Sequence, residues 1–424
     1  MILVIGDLIL DVFQKGKSRR LSPEAPVPVI TGMSRKIYPG GAANLALNLA
    51  DMGIITTIRG QLGRDEEAYI LDNMITQHPN IRSAIGFQDD ANTTVKTRII
   101  ANGQQIARLD VDGIYYPISI LEVFEREEIE FDIVVVSDYD KGVIGDLSQE
   151  LKILKDRGIR TLIDPKKDFD HYKNAWLIKP NLKEFFDFVG PAEDPDHMYD
   201  LGSKALRKYN IEYMLVTLGH QGMALISQRE IQHFPALECD VYDITGAGDS
   251  ALAGLVYGLN KGKSLIDSIE LAQKAASVAI SHHGVYRVTE KELKNKTVFA
   301  NGVFDILHAG HIKLLEQARR LGDRLIVGIN SDTSVKKLKG DNRPINDEKT
   351  RAHTLKQFSC VDDVIVFDED TPYDLIKKLK PDIIVKGGDY TVDQVVGKEL
   401  VDEVVIIPLE EGYSTTKIIG NING

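Results

Sequence analysis

The chain is poor in cysteine and carries no excess of basic charge. Two cysteines in 424 residues, Cys239 and Cys360, leave no disulfide framework and no cysteine-based zinc site, and they point to a reducing compartment. Lysine and arginine number 51 against 63 acidic residues, a net charge of −12. With no basic block to neutralise a phosphate backbone, a nucleic-acid partner is not expected, and any phosphate must be gripped locally. No run approaches the about 18 apolar residues that span a membrane. The opening, Met1-Ile-Leu-Val-Ile-Gly-Asp7, has no basic lead-in and is cut short by Asp7 and Asp11, so it reads as a buried strand rather than a signal peptide. A Walker A loop is missing as well: Gly258-Leu-Asn-Lys-Gly-Lys-Ser264 has one residue too few between its glycines. No Gly-x-Gly-x-x-Gly follows a strand in the 243–254 region. These absences leave a cytoplasmic protein whose length predicts two or three domains.

What is present centres on Asp243-Ile-Thr-Gly-Ala-Gly-Asp249-Ser250, which opens a small-residue helix, Ala251 to Leu259. Gly246 and Gly248 let backbone N–H groups crowd into a nest at the positive end of that helix, a place to hold a developing phosphoryl charge. Asp249, in the first turn, is expected to stay ionised and to accept a proton from a hydroxyl. The alternative is a Gly-rich turn with Asp as a helix cap.

Upstream, Ile2 to Ile5 predicts a strand that places Asp7 and Asp11 at its C-terminal end, where open α/β sheets bind ligands. Both can grip sugar hydroxyls or simply shape a turn. Residues 19–31 alternate apolar residues with prolines, which predicts an edge strand or lid. Pro39-Gly-Gly-Ala-Ala-Asn44 launches a helix, with Gly40 and Gly41 allowing close approach and Asn44 offering donor and acceptor. Lys96 and Arg98 lie in a predicted hairpin turning at Asn102-Gly103, able to cover an anionic substrate or to face solvent. Apolar runs ending at Ser137, Asp164, Lys179 and Thr217, the last followed by Leu218-Gly219, predict a parallel sheet with its site along one edge. Thr217 and Gly219 are therefore nucleotide-binding candidates. Asn181 and Glu184 share a helix face, as holders of a hydrated Mg²⁺ or as a capping box.

A second unit restarts at Thr297-Val-Phe-Ala300 and runs into Asn301-Gly-Val-Phe-Asp-Ile-Leu-His308-Ala-Gly-His311. His308 and His311 share a face near a helix start and can donate to phosphate oxygens. Zinc binding lacks a third ligand nearby, and core histidines are the remaining alternative. Lys336, Lys337, Lys339, Arg343 and Arg351 are expected to add local positive charge. Lys386, Asp389 and the hydroxyls and cation of Ser414-Thr415-Thr416-Lys417 are further phosphate-binding candidates.

Gly-Asp-x-x-x-Asp, Pro-Gly-Gly-Ala-Ala-Asn, Asn-x-x-Glu and Asp-x-Thr-Gly-Ala-Gly-Asp, in this order, resemble the ribokinase-like sugar kinases over residues 1–292. That resemblance implies a parallel-sheet domain with a β lid, Asp249 as catalytic base, and Gly246, Ala247 and Gly248 as anion hole. It implies Asn181 and Glu184 at the nucleotide phosphates and Mg²⁺, Glu184 acting through water, and Asp7, Asp11, Gly41 and Asn44 at the sugar. Phe-Asp-x-x-His-x-Gly-His with the distal Ser-Thr-Thr-Lys resembles the cytidylyltransferase-like nucleotidyltransferases over residues 297–424. It implies a smaller Rossmann-like α/β domain in which Asn301, Phe304, His308, His311 and Lys417 handle the nucleotide.

The fusion, with Ser137-Asp-Tyr-x-Lys-Gly142, Leu338-Lys-Gly-Asp341 and Val385-Lys-Gly-Gly-Asp-Tyr390, resembles the bifunctional heptose 7-phosphate kinase/heptose 1-phosphate adenylyltransferases. Their pattern implies ATP as co-substrate, Mg²⁺, small sugar phosphates as ligands, no membrane, and a homodimer or larger. A kinase/cytidylyltransferase for another sugar, or a nucleotide-binding regulator, remains the alternative. Gln273 and Val285 replace the family's Asn and Thr, which predicts altered nucleotide contacts. The segment between the two halves is also shorter than usual.

Overall fold

A computed structural model describes residues 1–127, 129–388 and 390–408. The chain divides into two compact units that part between Leu293 and Lys294. No helix among the described residues is long and apolar enough to cross a membrane.

The first unit is built on a nine-stranded sheet. From one edge its strands are Ile231–Phe234, Met223–Ile226, Tyr213–Thr217, Leu177–Ile178, Arg160–Asp164, Ile133–Ser137, Ile2–Gly6, Thr56–Arg59 and Ile81–Ser83. The pairings from Ile81–Ser83 through Tyr213–Thr217 are parallel, and the last two strands add an antiparallel hairpin. The strand Ile2–Gly6 is buried along its whole length. Ile2 and Val4 enter one apolar cluster and Leu3 and Ile5 the other, as the two-residue period of a doubly covered sheet requires. It sits between Ile133–Ser137 and Thr56–Arg59, so the strand order turns here. The crevice at such a switch point takes up Asp7 from one strand end and residues 138–141 from the other.

A separate four-stranded sheet forms the lid, in the order Pro28–Gly41, Leu8–Leu21, Thr94–Ala101, Gln104–Val111. The proline-rich stretch thus supplies its outer strand and the turn leading into it. Two helices, Ala247–Asn260 and Leu265–Ile280, pack closely because Gly254 and Gly258 carry no side chain. A Cβ on Gly254 would lie 2.5 Å from the Leu271 carbonyl oxygen, and one on Gly258 would lie 2.6 Å from Ser268 Oγ.

The second unit carries a five-stranded parallel sheet in the order Asp363–Phe367, Arg324–Asn330, Thr297–Gly302, Ile383–Gly387, Glu403–Ile407. Apolar clusters pack on both faces. Its order turns between Thr297–Gly302 and Ile383–Gly387, so Asn301 and Lys386 come to adjoining strand ends.

Candidate active sites

In the first unit Asp249 lies in the first turn of Ala247–Asn260, whose N-cap Gly246 adopts the left-handed φ of 81°. Asp249 is 6% exposed. Asn44 Nδ2 donates to its Oδ2 at 2.8 Å and the Tyr139 hydroxyl donates to its Oδ1 at 3.1 Å. Burial pushes the carboxyl up to about 6 against these donors and the nearby Lys179 ammonium, with Asp164 adding to the rise. Desolvation is the largest influence on this carboxyl. A pKa of about 6 still leaves the group mostly ionised at neutral pH, with the basicity a proton acceptor needs.

The N–H of Ala247 is engaged with the Ile244 carbonyl at 3.3 Å, so it is not one of the free donors of a nest. Lys179 stands in its neighbourhood instead. This residue is 3% exposed and paired with Asp164 at 3.1 Å, and its Nζ lies 3.8 Å from where a Cβ on Gly248 would be.

Asp7 is fully buried. Its Oδ2 accepts the N–H groups of Tyr139 at 2.7 Å and Lys141 at 3.3 Å, while Oδ1 has no hydrogen-bond partner among the described residues. Burial raises its pKa to about 6. Asp11 accepts Arg98, and the Lys96 ammonium sits 4.8 Å from the centre of the Tyr139 ring. Asp7, Asp11, Asn44, Lys96 and Asp249 thus form one neighbourhood with Tyr139 at its middle. Gly40 and Gly41 are required by the protein itself. A Cβ on Gly40 would lie 2.2 Å from Asp11 Oδ2, and one on Gly41 (φ 59°) 2.4 Å from the Asp7 carbonyl oxygen.

Asn181 and Glu184 make the reciprocal capping box: Asn181 Oδ1 accepts the Glu184 N–H at 2.9 Å and Glu184 Oε2 accepts the Asn181 N–H at 3.0 Å. Lys166 also donates to Glu184 at 2.9 Å. The cap is real, and it fixes the carboxylate next to Asp164, whose own carboxyl is raised by burial with Glu184 contributing. Thr217 bridges to Asn181 along the sheet edge, and Gly219 follows with φ 61°. No group of three or more metal-ligating side chains occurs among the described residues. Hard carboxylate oxygens in a pair nonetheless suit a Mg²⁺ ion that keeps its waters. The Gln273 amide donates to the carbonyls of Phe234 and Pro235, both at 2.8 Å. Val285 Cγ1 lies 3.5 Å from where a Cβ on Gly246 would be, beside the nest.

In the second unit His308 is the N-cap of Ala309–Arg319, and the two imidazoles stack with centroids 3.8 Å apart. Phe304, held at φ 48°, packs its ring 5.1 Å from His311. Burial keeps both histidines neutral, taking His311 down to about 4 with His308 adding to the effect. His311 Nδ1 and the buried Asn301 Oδ1 have no hydrogen-bond partner among the described residues. Lys386 approaches the Asn301 carbonyl at 3.4 Å, and burial pushes its ammonium down to about 8.

Arg343 and Arg351 are not free positive charge. Arg351, 2% exposed, donates to the carbonyls of Val303 and Asn346 and to Asp332. Arg343 donates to Asp305 at 2.6 Å, and the N–H groups of Ile345 and Asn346 close on the same carboxylate. Together they brace the histidine-bearing loop. Asp389, Ser414, Thr415, Thr416 and Lys417 lie outside the described residues.

Sequence reasoning gave no role to Tyr139, Lys179, Asp164 or Asp305. The signal available for Lys179 was its position at the C-terminal end of a parallel strand, and Tyr139 had in addition its place in Ser137-Asp-Tyr-x-Lys-Gly142.

A family model described as pfkB family carbohydrate kinase matches residues 1–292, and a cytidylyltransferase-like model matches residues 299–421. The Bifunctional protein HldE of Nitratiruptor sp. is 39% identical, covering 99% of this chain and 98% of that protein. The Bifunctional protein HldE of Helicobacter pylori is 41% identical over the same shares. Among solved structures, Arabidopsis thaliana ribokinase complexed with ribose and ATP aligns at TM-score 0.59 and 20% identity, over 69% of this chain and 96% of that one. Escherichia coli phosphofructokinase-2 aligns at TM-score 0.58 and 20% identity, over the same shares. At that identity the likeness concerns the fold.

Proposed function

The chain belongs to the family of bifunctional HldE proteins, and on that footing we propose that it phosphorylates heptose 7-phosphate at the anomeric hydroxyl and adenylylates heptose 1-phosphate. The first step converts ATP to ADP and gives heptose 1,7-bisphosphate. A separate phosphatase removes the 7-phosphate. The second unit then joins AMP from ATP to heptose 1-phosphate, releasing pyrophosphate and ADP-heptose for the lipopolysaccharide core.

The observation that carries the reading is the Asp249 carboxylate, buried at a helix N-terminus between the Asn44 and Tyr139 donors. In the proposed kinase step Asp249 takes the anomeric proton as the sugar oxygen attacks the γ-phosphoryl group. Free N–H groups of the helix start and the Lys179 ammonium offset the charge on the transferring group. Asp7, with one unpartnered buried oxygen, and Asp11 hold sugar hydroxyls. Mg²⁺, if held by Glu184 through water near Asn181 and Asp164, would supply charge neutralisation on the nucleotide phosphates.

In the second step His308 and His311, neutral at pH 7, donate N–H groups to the α-phosphate as its charge spreads, and Lys386 adds a cation. Lys417 and Asp389 are further candidates there. The reading places the enzyme in the cytoplasm, and its self-association as a homodimer or larger is supported by exposed Leu109 and Val111 on the outer lid strand.

Mass spectrometry of the products from heptose 7-phosphate, ATP, Mg²⁺ and an added phosphatase tests this directly. ADP-heptose is expected. Formation of CDP-heptose in preference, when CTP competes with ATP, would replace the adenylyl assignment.

A further inference from the structure

The helix Ala42–Asp51 carries two asparagines within a buried run, residues 42–50, that is otherwise alanine and leucine. Asn44 and Asn48 stand four residues apart and share one face, at 1% and 0% exposure. A carboxamide sunk into such a helix is costly unless its polar groups are bonded. Asn48 bonds both of its groups. Its Nδ2 donates to the Asn44 carbonyl at 2.9 Å and to Asn44 Oδ1 at 3.1 Å, and its Oδ1 accepts the Val288 N–H at 2.9 Å. Val288 is itself fully buried, and its neighbour Arg287 pairs at 3.1 Å with Asp51 at the end of the same helix.

These bonds fix a direction. A backbone N–H can only donate, so the Asn48 atom that meets Val288 must be the carbonyl oxygen. The Asn48 NH₂ group then faces Asn44, which makes Asn44 Oδ1 the acceptor there. The Asn44 NH₂ group is left to donate to Asp249 Oδ2 at 2.8 Å. Were the Asn44 amide turned over, two NH₂ groups would meet and a carbonyl oxygen would face the carboxylate. That oxygen would also border the start of the helix Ala247–Asn260, since Asn44 Nδ2 lies 3.1 Å from where a Cβ on Gly246 would be. The turned amide suits only a protonated Asp249, whose O–H it could accept.

We propose that Asn48 is a positioning residue for phosphoryl transfer to the sugar. Anchored by the Val288 N–H, it holds the Asn44 amide with its NH₂ group towards Asp249 and so favours the form of Asp249 that can take a proton. The role rests on the kinase reading above and deepens it. Asp249 also faces Tyr139 from the loop after Ile133–Ser137, and Asp164 and Lys179 at the ends of two neighbouring strands. All three stay in place when residue 48 alone is changed.

The test follows ADP release against pH, at saturating heptose 7-phosphate and ATP, for wild type, Asn48→Asp and Asn48→Ala, each alone and combined with Asn44→Ala. Asn48→Asp keeps an acceptor for Val288 but offers a second one to Asn44, so the Asn44 amide turns over. Losing a bond to a charged group should move the acid limb up by about 1–2 pH units and cut kcat about 10- to 100-fold below it. Asn48→Ala only frees the amide to turn when Asp249 is protonated, and should move the limb by about 0.5–1 unit. Beside Asn44→Ala most of either shift should vanish, because the effect runs through Asn44. KM for ATP should keep its wild-type value. Urea unfolding checks each variant, and Asn48→Ala carries the comparison if the buried charge of Asn48→Asp prevents folding. Acid limbs that stay in place, kcat lost equally at every pH together with a changed KM for ATP, or shifts undiminished beside Asn44→Ala would overturn the positioning role. A wild type that did not phosphorylate the sugar would instead overturn the kinase reading.

Discussion

Replacing Tyr139 by phenylalanine removes one hydroxyl from the surroundings of Asp249 and leaves the ring under Lys96 in place. That hydroxyl donates to Oδ1 at 3.1 Å, and with Asn44 it favours the ionised carboxylate against the burial that holds it at about 6. A hydrogen bond to a charged group contributes ~1.5–3 kcal/mol and a pK unit corresponds to ~1.4, so its loss should raise the Asp249 pKa by about 1–2 units. A general base works deprotonated, so the rate falls as pH drops through that pKa. The acid limb of the kinase profile, near pH 6 in the wild type, should therefore move to between about pH 7 and 8.

Two other groups titrate in this window, Asp7 at about 6 and the phosphate of the substrate, also near 6. Neither is altered by the substitution, since Asp7 is bonded by the backbone N–H of Tyr139 rather than by its side chain. The difference between the two profiles therefore isolates Asp249. The assay is kcat against pH at saturating ATP and sugar phosphate, with adenylyl transfer as control. Superimposable profiles would refute the claim that this hydroxyl helps keep the buried Asp249 ionised.

Asp249→Asn should lower sugar phosphorylation by about 10²–10⁴ while leaving adenylyl transfer unchanged, measured by ADP and pyrophosphate release respectively. His308→Ala should do the reverse. Because burial holds Lys386 at about 8, adenylyl transfer should fall as pH rises through that value, and Lys386→Arg should flatten the alkaline limb. Asp305→Ala leaves Arg343 and the Ile345 and Asn346 N–H groups without their acceptor. It should destabilise the second unit by about 3–5 kcal/mol in urea unfolding. Gly254→Val forces a side chain onto the Leu271 carbonyl and should cost about 1–3 kcal/mol or more in the first unit.

Much of this arrangement was legible in the sequence because strand ends and glycines carry local signals. The runs ending at Ser137, Asp164 and Thr217 do form parallel strands, and Asn102-Gly103 does turn a hairpin. The glycines at 246 and 248 marked the helix start at which Asp249 is found. What stayed hidden depends on pairings between distant segments. Tyr139 meets Asp249 across 110 positions and Asp305 meets Asn346 across 41, and no periodicity reports such contacts. Charge signs misled for a similar reason. Arg351 counts as positive in a sequence, yet the fold buries it as a brace. The burial that raises the Asp249 carboxyl to about 6 was likewise hidden, because a helix end can be read from sequence and desolvation cannot.

Separate phosphate-handling sites in the two units are tested most directly by mixing single-site variants. With heptose 7-phosphate, ATP, Mg²⁺ and a phosphatase, Asp249→Asn alone and His308→Ala alone should make ADP-heptose about 10²–10⁴ more slowly than wild type, whereas the two together should restore its formation, as read by mass spectrometry. ADP-heptose at the wild-type rate from either variant alone, or no gain in the mixture of well-folded proteins, would contradict the account.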